Sequence, residues 1–236
     1  MKKLKIVFTG GSGRFGKIFK KTKSKHTIYF PTKSELNILN IASIEKYITK
    51  KKPKILIHAA ALSRPMEIHQ KKIDKSIDLN IIGTANITKV CLKHNIKLIY
   101  FSTSYVYPGI RGNYKENDSL LPINYYAWSK LGGECSVMMY KNSLILRICM
   151  TEKPFIHKKT FFDLKTNFMY HDEVAKILPK LLFKKGIINL GGPTQSVYNF
   201  ASKYNKKVKK ISARKKLGKN APLNLSMNLG KLNKII

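Results

Sequence analysis

A regular alternation of apolar runs with amphipathic stretches constrains this 236-residue chain more than any other feature. Apolar runs bounded by glycine, proline or polar clusters predict buried strands, and apolar residues at helical spacing predict helices packed on one face. Strands that alternate with helices run parallel, because each helix carries the chain back across the sheet. The pattern predicts strands at 4–8, 26–30, 54–60, 97–103 and 143–150, with helices at 14–23, 43–51, 73–94 and 125–140.

The rhythm changes after residue 150. An irregular segment comes first, and the later apolar pattern predicts helices at 171–184 and 197–204, strands at 186–190 and 207–213, and a last short helix from about 227. We therefore expect two units: a doubly wound parallel sheet in residues 1–150, and a small α/β subdomain in residues 151–236 that depends on the first.

Lysine dominates the charge of the chain. There are 46 Lys+Arg against 12 Asp+Glu, a formal charge of +34, and 41 of the basic residues are lysine. Proteins that read bases or clamp phosphates bidentately favour arginine, and these lysines are spread along the whole chain. We therefore expect a solvated basic surface and no nucleic-acid partner. With 43% hydrophobic residues the chain has enough apolar material for a core, which excludes disorder as the main state.

The composition disfavours three further classes of protein. The apolar runs are far shorter than the roughly 18 to 20 residues of a membrane span, so we expect no membrane partner. The three cysteines are scattered, which fits a reducing compartment and a cytoplasmic protein. The six histidines lack the paired spacing of a metal site, so we expect no metal.

Glycines separate the first predicted strand from the first predicted helix. The segment Thr9-Gly10-Gly11-Ser12-Gly13-Arg14-Phe15-Gly16 fits both GxGxxG and TGxxGxxG, so the spacing leaves two subclasses of dinucleotide-binding loop open. Without Cβ atoms the backbone can turn tightly and approach a pyrophosphate closely. The strand and the helix on either side favour a dinucleotide site over a merely structural turn.

A second group of polar residues follows the fourth predicted strand. Ser102-Thr103-Ser104-Tyr105 ends that strand, and Tyr126 and Lys130 follow on a predicted helix. Their spacing of four residues places both side chains on one helical face. A nearby ammonium group lowers the pKa of a phenol and so suits Tyr126 to acid–base chemistry. A hydroxyl on the facing strand end could bind the same substrate oxygen.

Together these segments resemble the extended short-chain dehydrogenase/reductase superfamily, whose nucleotide-binding unit is a Rossmann-type sheet. His58-Ala59-Ala60-Ala61 after the third strand and Asn80-Ile81-Ile82-Gly83-Thr84-Ala85-Asn86 in the long helix add to a likeness that covers about the first 150 residues. Within the superfamily the chain is most similar to the dTDP-4-dehydrorhamnose reductase group, through Ser102-Thr103-Ser104-Tyr105-Val106-Tyr107 and, more loosely, residues 221–232. That group usually has Asp where Ser104 stands.

The resemblance implies an NAD(P)H-dependent reductase of a 4-keto-6-deoxy nucleotide sugar, with a substrate-binding role for residues 151–236. Tyr126 would be the general acid, Lys130 would hold the nicotinamide ribose, and Thr103 would bond the reacting oxygen. Asn80 would brace the site. The implied cofactor contacts are Gly10, Gly13, Arg14, Phe15, Gly16, Thr32, Lys33, Asn37, Ile38, Ala59, Ala60, Ala61 and Lys130, and the implied substrate contacts are Thr103, Ser104, Tyr105 and Arg147.

The identity of the cofactor depends on the residues after the second predicted strand. A site for NAD has an acidic residue about 20 positions past the glycines, which holds the ribose 2′-hydroxyl. Here Thr32 and Lys33, with Arg14, could receive a 2′-phosphate, so we expect NADP ahead of NAD. Glu35 is the rival, and it would bind the ribose if the strand ran further.

Several alternatives stay open. The same residues serve nucleotide-sugar epimerases and dehydratases, and some relatives of this fold act as regulatory or RNA-associated subunits. Arg147 follows a buried strand and could equally pair with a carboxylate or reach a substrate phosphate. Residues 151–236 are few for the second domain of a sugar-nucleotide reductase, which leaves the substrate open. A homodimer is also an open alternative.

Overall fold

The computed structural model describes residues 2–236. The strands are β1 (Lys5–Thr9), β2 (Thr27–Tyr29), β3 (Ile55–His58), β4 (Lys97–Thr103), β5 (Ser143–Ile148), β6 (Met150–Thr151), β7 (Lys159–Phe161), β8 (Lys165–Thr166), β9 (Met169–Tyr170), β10 (Gly186–Leu190), β11 (Gln195–Ser196) and β12 (Lys209–Ile211). The helices are α1 (Arg14–Phe19), α2 (Ile41–Lys51), α3 (Ile68–Lys71), α4 (Ile73–Ser76), α5 (Gly83–Lys93), α6 (Tyr125–Met138), α7 (His171–Leu181), α8 (Val197–Ser202), α9 (Ala213–Leu217) and α10 (Gly230–Asn233).

Six strands form one parallel sheet in the order β10-β5-β4-β3-β1-β2. The chain order reverses between β1 and β3, and open parallel sheets bind their ligands outside the carboxyl ends of the strands at such a point. This sheet confirms the predicted α/β class with a Rossmann-type parallel sheet and smaller C-terminal sheets.

An apolar layer covers each face of the sheet, because successive strand residues point to opposite sides. Phe8 and Ile57 lie in the layer shared with α1 and α7, whereas Leu56 and Leu98 lie in the layer shared with α2, α5 and α6. Strands buried on both faces carry nearly continuous apolar runs, which is why their positions could be predicted from the sequence.

The chain returns to the main sheet after residue 150, so the structure departs from the predicted division. Strand β10 pairs with β5 along its whole length, and α7 buries Val174 and Leu178 in the layer that it shares with α1. In residues 171–190, strand β10 is therefore part of the large sheet, and helix α7 packs against it. An apolar pattern predicts a helix and a strand but does not say which sheet they join.

The remaining C-terminal residues form a smaller layer. Three two-stranded sheets pair β6 with β9, β7 with β12, and β8 with β11. A separate apolar cluster holds this layer together and includes Phe155, Tyr170, Phe200 and Leu225.

The predicted helix 73–94 is interrupted in the structure. Helix α4 runs into a π-helical turn at Ile77–Ile82, and α5 begins only after it. The wider turn keeps the buried Asn80 amide within reach of Leu62 and Ser129, which it hydrogen-bonds. Local apolar spacing predicts helix here but not the extra residue in the turn, and such turns are frequent at functional sites.

Neither a membrane span nor a metal cluster appears in the part of the chain that the structure describes. Within residues 2–236, every helix is too short or too polar to cross a bilayer. The same residues bring no three His, Cys, Asp or Glu side chains together as metal ligands.

A buried ion pair joins α6 to β5. Arg147, 2% exposed, donates from Nε and Nη2 to Glu134 Oε1 at 3.0 and 2.6 Å, and from Nη1 to the Tyr107 hydroxyl and the Glu116 carbonyl. The prediction that Arg147 contacts a substrate is therefore wrong. The alternative prediction, that it pairs with a carboxylate, is the one that the structure shows. The guanidinium points into the core and has its hydrogen bonds there.

We predict that Glu134→Gln lowers the free energy of unfolding by about 3 to 5 kcal/mol, because it leaves the buried Arg147 charge uncompensated. Urea denaturation measures this loss. Glu45→Gln is the matched control, since it removes an equal charge from an ion pair with Lys93 at the surface, and it should change stability only slightly. Equal losses in the two variants would contradict the prediction.

Candidate active site

The glycine loop lies against the backbone that follows β3. Gly10 has φ +84°, and a Cβ at this position would come within 2.7 Å of the Ala60 nitrogen and 2.8 Å of the Ala59 carbonyl carbon. A Cβ on Gly16 would meet the Gly10 carbonyl oxygen. The loop is therefore packed tightly on itself and on the backbone that follows β3, and a side chain at Gly10 or Gly16 would prevent this packing.

A buried network of polar side chains fixes β1, β3 and α5 beneath this loop. His58 Nδ1 lies 2.7 Å from Thr9 Oγ1, and His58 Nε2 lies 3.2 Å from Thr84 Oγ1. Burial lowers the pKa of His58 to about 3, so the imidazole is neutral at physiological pH. The sequence showed His58 as part of a motif but gave no sign of this structural role.

Asn80 ties the loop after β3 to helix α6. Its Oδ1 accepts from the Leu62 nitrogen at 2.8 Å, and its Nδ2 donates to the Leu62 carbonyl at 2.9 Å and to Ser129 Oγ at 2.8 Å. The side chain is fully buried and engaged with protein groups. It joins the loop after β3 to α6, and the bracing role that the resemblance implies stays a prediction.

The strand end and the helix start bring Thr103, Tyr126 and Lys130 to one place. Thr103 is the last residue of β4, and Asn124 caps α6 by accepting from the Ala127 nitrogen at 2.8 Å. Tyr126 is thus in the first turn of α6, where the Thr103 hydroxyl lowers the pKa of its phenol. The Lys130 ammonium, 2% exposed, lies 4.1 Å from the centroid of the Tyr100 ring.

Burial controls the ionisation of both groups on α6. It raises the pKa of Tyr126 to about 12, against the lowering effects of Thr103, Arg64 and Arg14. It also lowers the pKa of Lys130 to about 7, although the Glu134 carboxylate raises it. We expected the Lys130 ammonium to lower the pKa of Tyr126. In the structure that effect comes from the charges of Arg64 and Arg14, because burial disfavours the charged form of Lys130 itself.

The predicted ribose and adenine contacts lie around the end of β2. Glu35 Oε2 accepts from the Thr32 nitrogen at 2.8 Å and from the Thr32 hydroxyl at 3.0 Å, and these bonds lower the pKa of Glu35. Lys33 is exposed beside this turn. Asn37 Oδ1 accepts from the Leu39 nitrogen, and the buried Ile38 packs against Gly83.

Two other residues that were predicted to contact a ligand have buried side chains. Phe15 packs in the core against Phe8 and Phe19, so only its backbone faces the glycine loop. Ser104 is 1% exposed, because the chain turns inward in a 3-10 helix at Ser104–Val106. The contact of Ser104 with a substrate stays a prediction.

Aromatic side chains border the Tyr126 ring. Tyr105 is half-buried and stands edge-on to Tyr126, with the ring centroids 6.5 Å apart. His69, which the sequence did not single out, lies with its ring centroid 5.1 Å from that of Tyr126 and its Nδ1 2.7 Å from Ser76 Oγ. Tyr105 and the buried His69 therefore both pack against the Tyr126 ring, and the contact of Tyr105 with a substrate stays a prediction.

Three charged residues meet beside the glycine loop. Glu152 Oε1 is 3.0 Å from Arg14 Nε, and Glu152 Oε2 is 3.0 Å from Arg64 Nη1. The sequence predicted a ligand contact for Arg14 but not for Arg64 or Glu152, because residues 64 and 152 are adjacent only in the folded chain. The scarcity of arginine was the one available signal for Arg64.

The sequence matches one protein family and is similar to relatives of two kinds. The model of the RmlD substrate binding domain family matches residues 4–155. A dTDP-4-dehydrorhamnose reductase of Aggregatibacter actinomycetemcomitans is 26% identical over 202 residues, which are 81% of this chain and 63% of the relative. Methionine adenosyltransferase 2 subunit beta of Xenopus laevis is 30% identical over 154 residues, 61% of this chain and 46% of the relative. The chain thus spans less than two thirds of the length of these curated relatives.

Solved structures share the fold across the whole chain. The dTDP-4-dehydrorhamnose reductase of Bacillus anthracis in complex with NADP has a TM-score of 0.86 at 23% identity and covers 100% of this chain and 94% of its own. The enzyme WbmG of Bordetella bronchiseptica in complex with NAD and UDP has a TM-score of 0.77 at 17% identity, with 99% and 88% covered. At these identities the likeness establishes the fold alone. The family match extends over well more than half of the sequence, and the chain therefore belongs to the RmlD substrate binding domain family.

Proposed function

We propose that the protein is an NAD(P)H-dependent reductase of a 4-keto-6-deoxy nucleotide sugar. The observation that carries the proposal is that Tyr126 and the buried Lys130 share one face of α6, and that the Thr103 hydroxyl at the end of β4 acts on the Tyr126 phenol. The likeness to a named dTDP-4-dehydrorhamnose reductase supports the substrate class.

The loop around Gly10 and Gly16 fits a dinucleotide. Both positions exclude a Cβ because the loop packs tightly on itself and on the backbone after β3, and loops that bind the diphosphate of a dinucleotide make such a tight turn. The flanking Ala59–Ala61 backbone and Lys130 would hold the nicotinamide half. When bound, the reduced nicotinamide supplies the hydride.

We assign NADP ahead of NAD. Strand β2 ends at Tyr29, well before Glu35, and Glu35 folds back onto Thr32. Lys33 is exposed on the same turn, where its ammonium group could pair with a 2′-phosphate.

The raised pKa of Tyr126 suits a proton donor. A phenol with a pKa of about 12 keeps its proton at neutral pH and gives it up only to a more basic oxygen. A carbonyl oxygen becomes such a base as it turns into an alkoxide. Thr103 would hold that oxygen by a second hydrogen bond, and the charges of Arg64 and Arg14 would stabilise the phenolate that remains.

A dinucleotide-binding subunit without turnover is the second candidate. It is favoured by the likeness to methionine adenosyltransferase 2 subunit beta in several vertebrates. Turnover separates the two candidates, and an epimerase would convert a nucleotide sugar without net change in nicotinamide absorbance.

We predict that the purified protein oxidises NADPH when given a dTDP-4-keto-6-deoxy sugar, and that Tyr126→Phe lowers kcat at least about 100-fold by removing the proton donor. Loss of nicotinamide absorbance measures both. Tyr125→Phe is the control, because Tyr125 is the exposed neighbour on the same helix and should keep full activity. Binding of NADPH without turnover on a panel of such sugars would favour the subunit instead.

We predict that Lys33→Ala raises the Kd for NADPH about fivefold to tenfold, because a charge-assisted contact to the 2′-phosphate is lost, and leaves the Kd for NADH unchanged. Calorimetry with both nucleotides measures the ratio. Lys46→Ala changes the charge equally on the exposed face of α2 and serves as control. Tighter binding of NADH than NADPH, weakened by Glu35→Gln, would make Glu35 the ribose ligand and NAD the cofactor.

We predict that Lys130→Met raises the free energy of unfolding by roughly 2 to 4 kcal/mol at pH 6, where the buried lysine is charged. The pKa of Lys130 is about 7 in the folded chain and higher when unfolded, so the unfolded chain binds more protons above pH 7 and the wild type gains stability there. The advantage of the variant should therefore shrink from pH 7 to pH 10. Denaturation at several pH values tests this, and a pH-independent difference would contradict it.

A further inference from the structure

Two of the five arginines in the chain converge on one carboxylate at the edge of the candidate active site. Arg14 follows the last loop glycine before α1, Arg64 lies in the segment after β3, and Glu152 directly follows β6. Thr151 Oγ1 also donates to Glu152 Oε2 at 3.3 Å. In a chain with only 12 acidic residues, such a meeting of three separate segments needs an explanation.

Both arginines of the cluster act electrostatically on the Tyr126 phenol. Both arginines lower the pKa of Tyr126, so their charges act on the space around the phenol. Arg14 is further held by Ser63, whose Oγ accepts from Arg14 Nη2 at 3.1 Å. Two guanidinium groups against one carboxylate leave one positive charge in excess.

The two ion pairs of Glu152 are partly exposed to solvent, and their geometry is not ideal. The Arg14 and Arg64 side chains are 45% and 30% exposed and that of Glu152 is 18% exposed, in contrast to the buried pair of Arg147 with Glu134. Arg64 reaches both oxygens of Glu152 with a single nitrogen, Nη1, at 3.1 and 3.0 Å. Neither arginine makes the two parallel hydrogen bonds of an ideal guanidinium–carboxylate pair, and partly hydrated pairs of this kind contribute little to stability.

We propose that Arg14 and Arg64 form an anion clamp for a phosphate group of a diphosphate-bearing ligand, and that Glu152 occupies the clamp until that phosphate displaces it. The inference rests on the proposed function, since it takes the ligand to be a dinucleotide or a nucleotide sugar. A phosphate offers more acceptor oxygens than the carboxylate, so it can engage nitrogens that Glu152 leaves free. The exchange has a cost, because the affinity for the ligand falls by the fraction of molecules in which Glu152 holds the clamp.

Glu152→Gln tests the proposal, because it keeps the shape of the side chain and removes its charge. We expect it to tighten binding of inorganic pyrophosphate, and of either NADPH or UDP, about tenfold by calorimetry. Tightening for NADPH would assign the clamp to the cofactor, and tightening for UDP would assign it to the nucleotide sugar. Arg64→Ala should weaken binding of the same ligand and abolish the gain in the double variant.

Two controls keep the result specific. Glu45→Gln makes the same change in net charge on the far pair with Lys93, so a gain from general electrostatics would appear there as well. Glu152→Asp keeps the charge on a shorter side chain and should give a smaller gain than Glu152→Gln. Thermal unfolding of each variant establishes that it is folded.

The outcomes separate the clamp from the proposed function. If Glu152→Gln binds all three probes as weakly as the wild type or more weakly, or if Glu45→Gln tightens them equally, the clamp is overturned even when turnover is normal. If the wild type binds neither NADPH nor UDP, but Glu152→Gln still tightens pyrophosphate, the clamp stands and the proposed function fails.

Discussion

Helix α6 is held on the sheet by Glu134, which accepts hydrogen bonds from Ser102 on β4 and from Arg147 on β5. Tyr126, Lys130 and Glu134 follow one another at intervals of four residues, so they share one face of the helix. The anchor at Glu134 therefore sets how far Tyr126 stands from the end of β4. A shift of one helical turn would carry the phenol about 5 Å along the axis and away from Thr103.

Burial shifts the pKa values of Tyr126 and Lys130, which share that face of α6, in opposite directions. The phenol keeps its proton more firmly, and the ammonium loses its proton more easily, because each environment disfavours charge. Arg14 and Arg64 oppose this for Tyr126 from the rim. A ligand that took up their charge, as in the proposed clamp, would raise the pKa of the Tyr126 phenol.

The sequence predicted the features that depend on residues close together in the chain. Continuous apolar runs specify strands buried on both faces, and glycines between a strand and a helix specify a close backbone approach, as at Gly10 and Gly16. The π-helical turn around Asn80, the engagement of Arg147 with Glu134, and the meeting of Glu152 with two arginines depend on partners distant in the chain. Nothing in the spacing of those residues encodes their partners, so they emerge only from the folded structure.

The return of the chain to the large sheet has a consequence for how the protein folds. Until β10 is in place, β5 is an edge strand with a row of unpaired backbone groups, a template for association with other chains. Asn189 on β10 also accepts a hydrogen bond from Tyr107, the partner of Arg147, so the late strand completes the polar cluster under α6. During synthesis the site cannot be finished, nor the edge protected, before residue 190 has been made. The edge of β5 is therefore open from the synthesis of residue 148 to that of residue 190, and the high positive charge of the chain disfavours association over that interval.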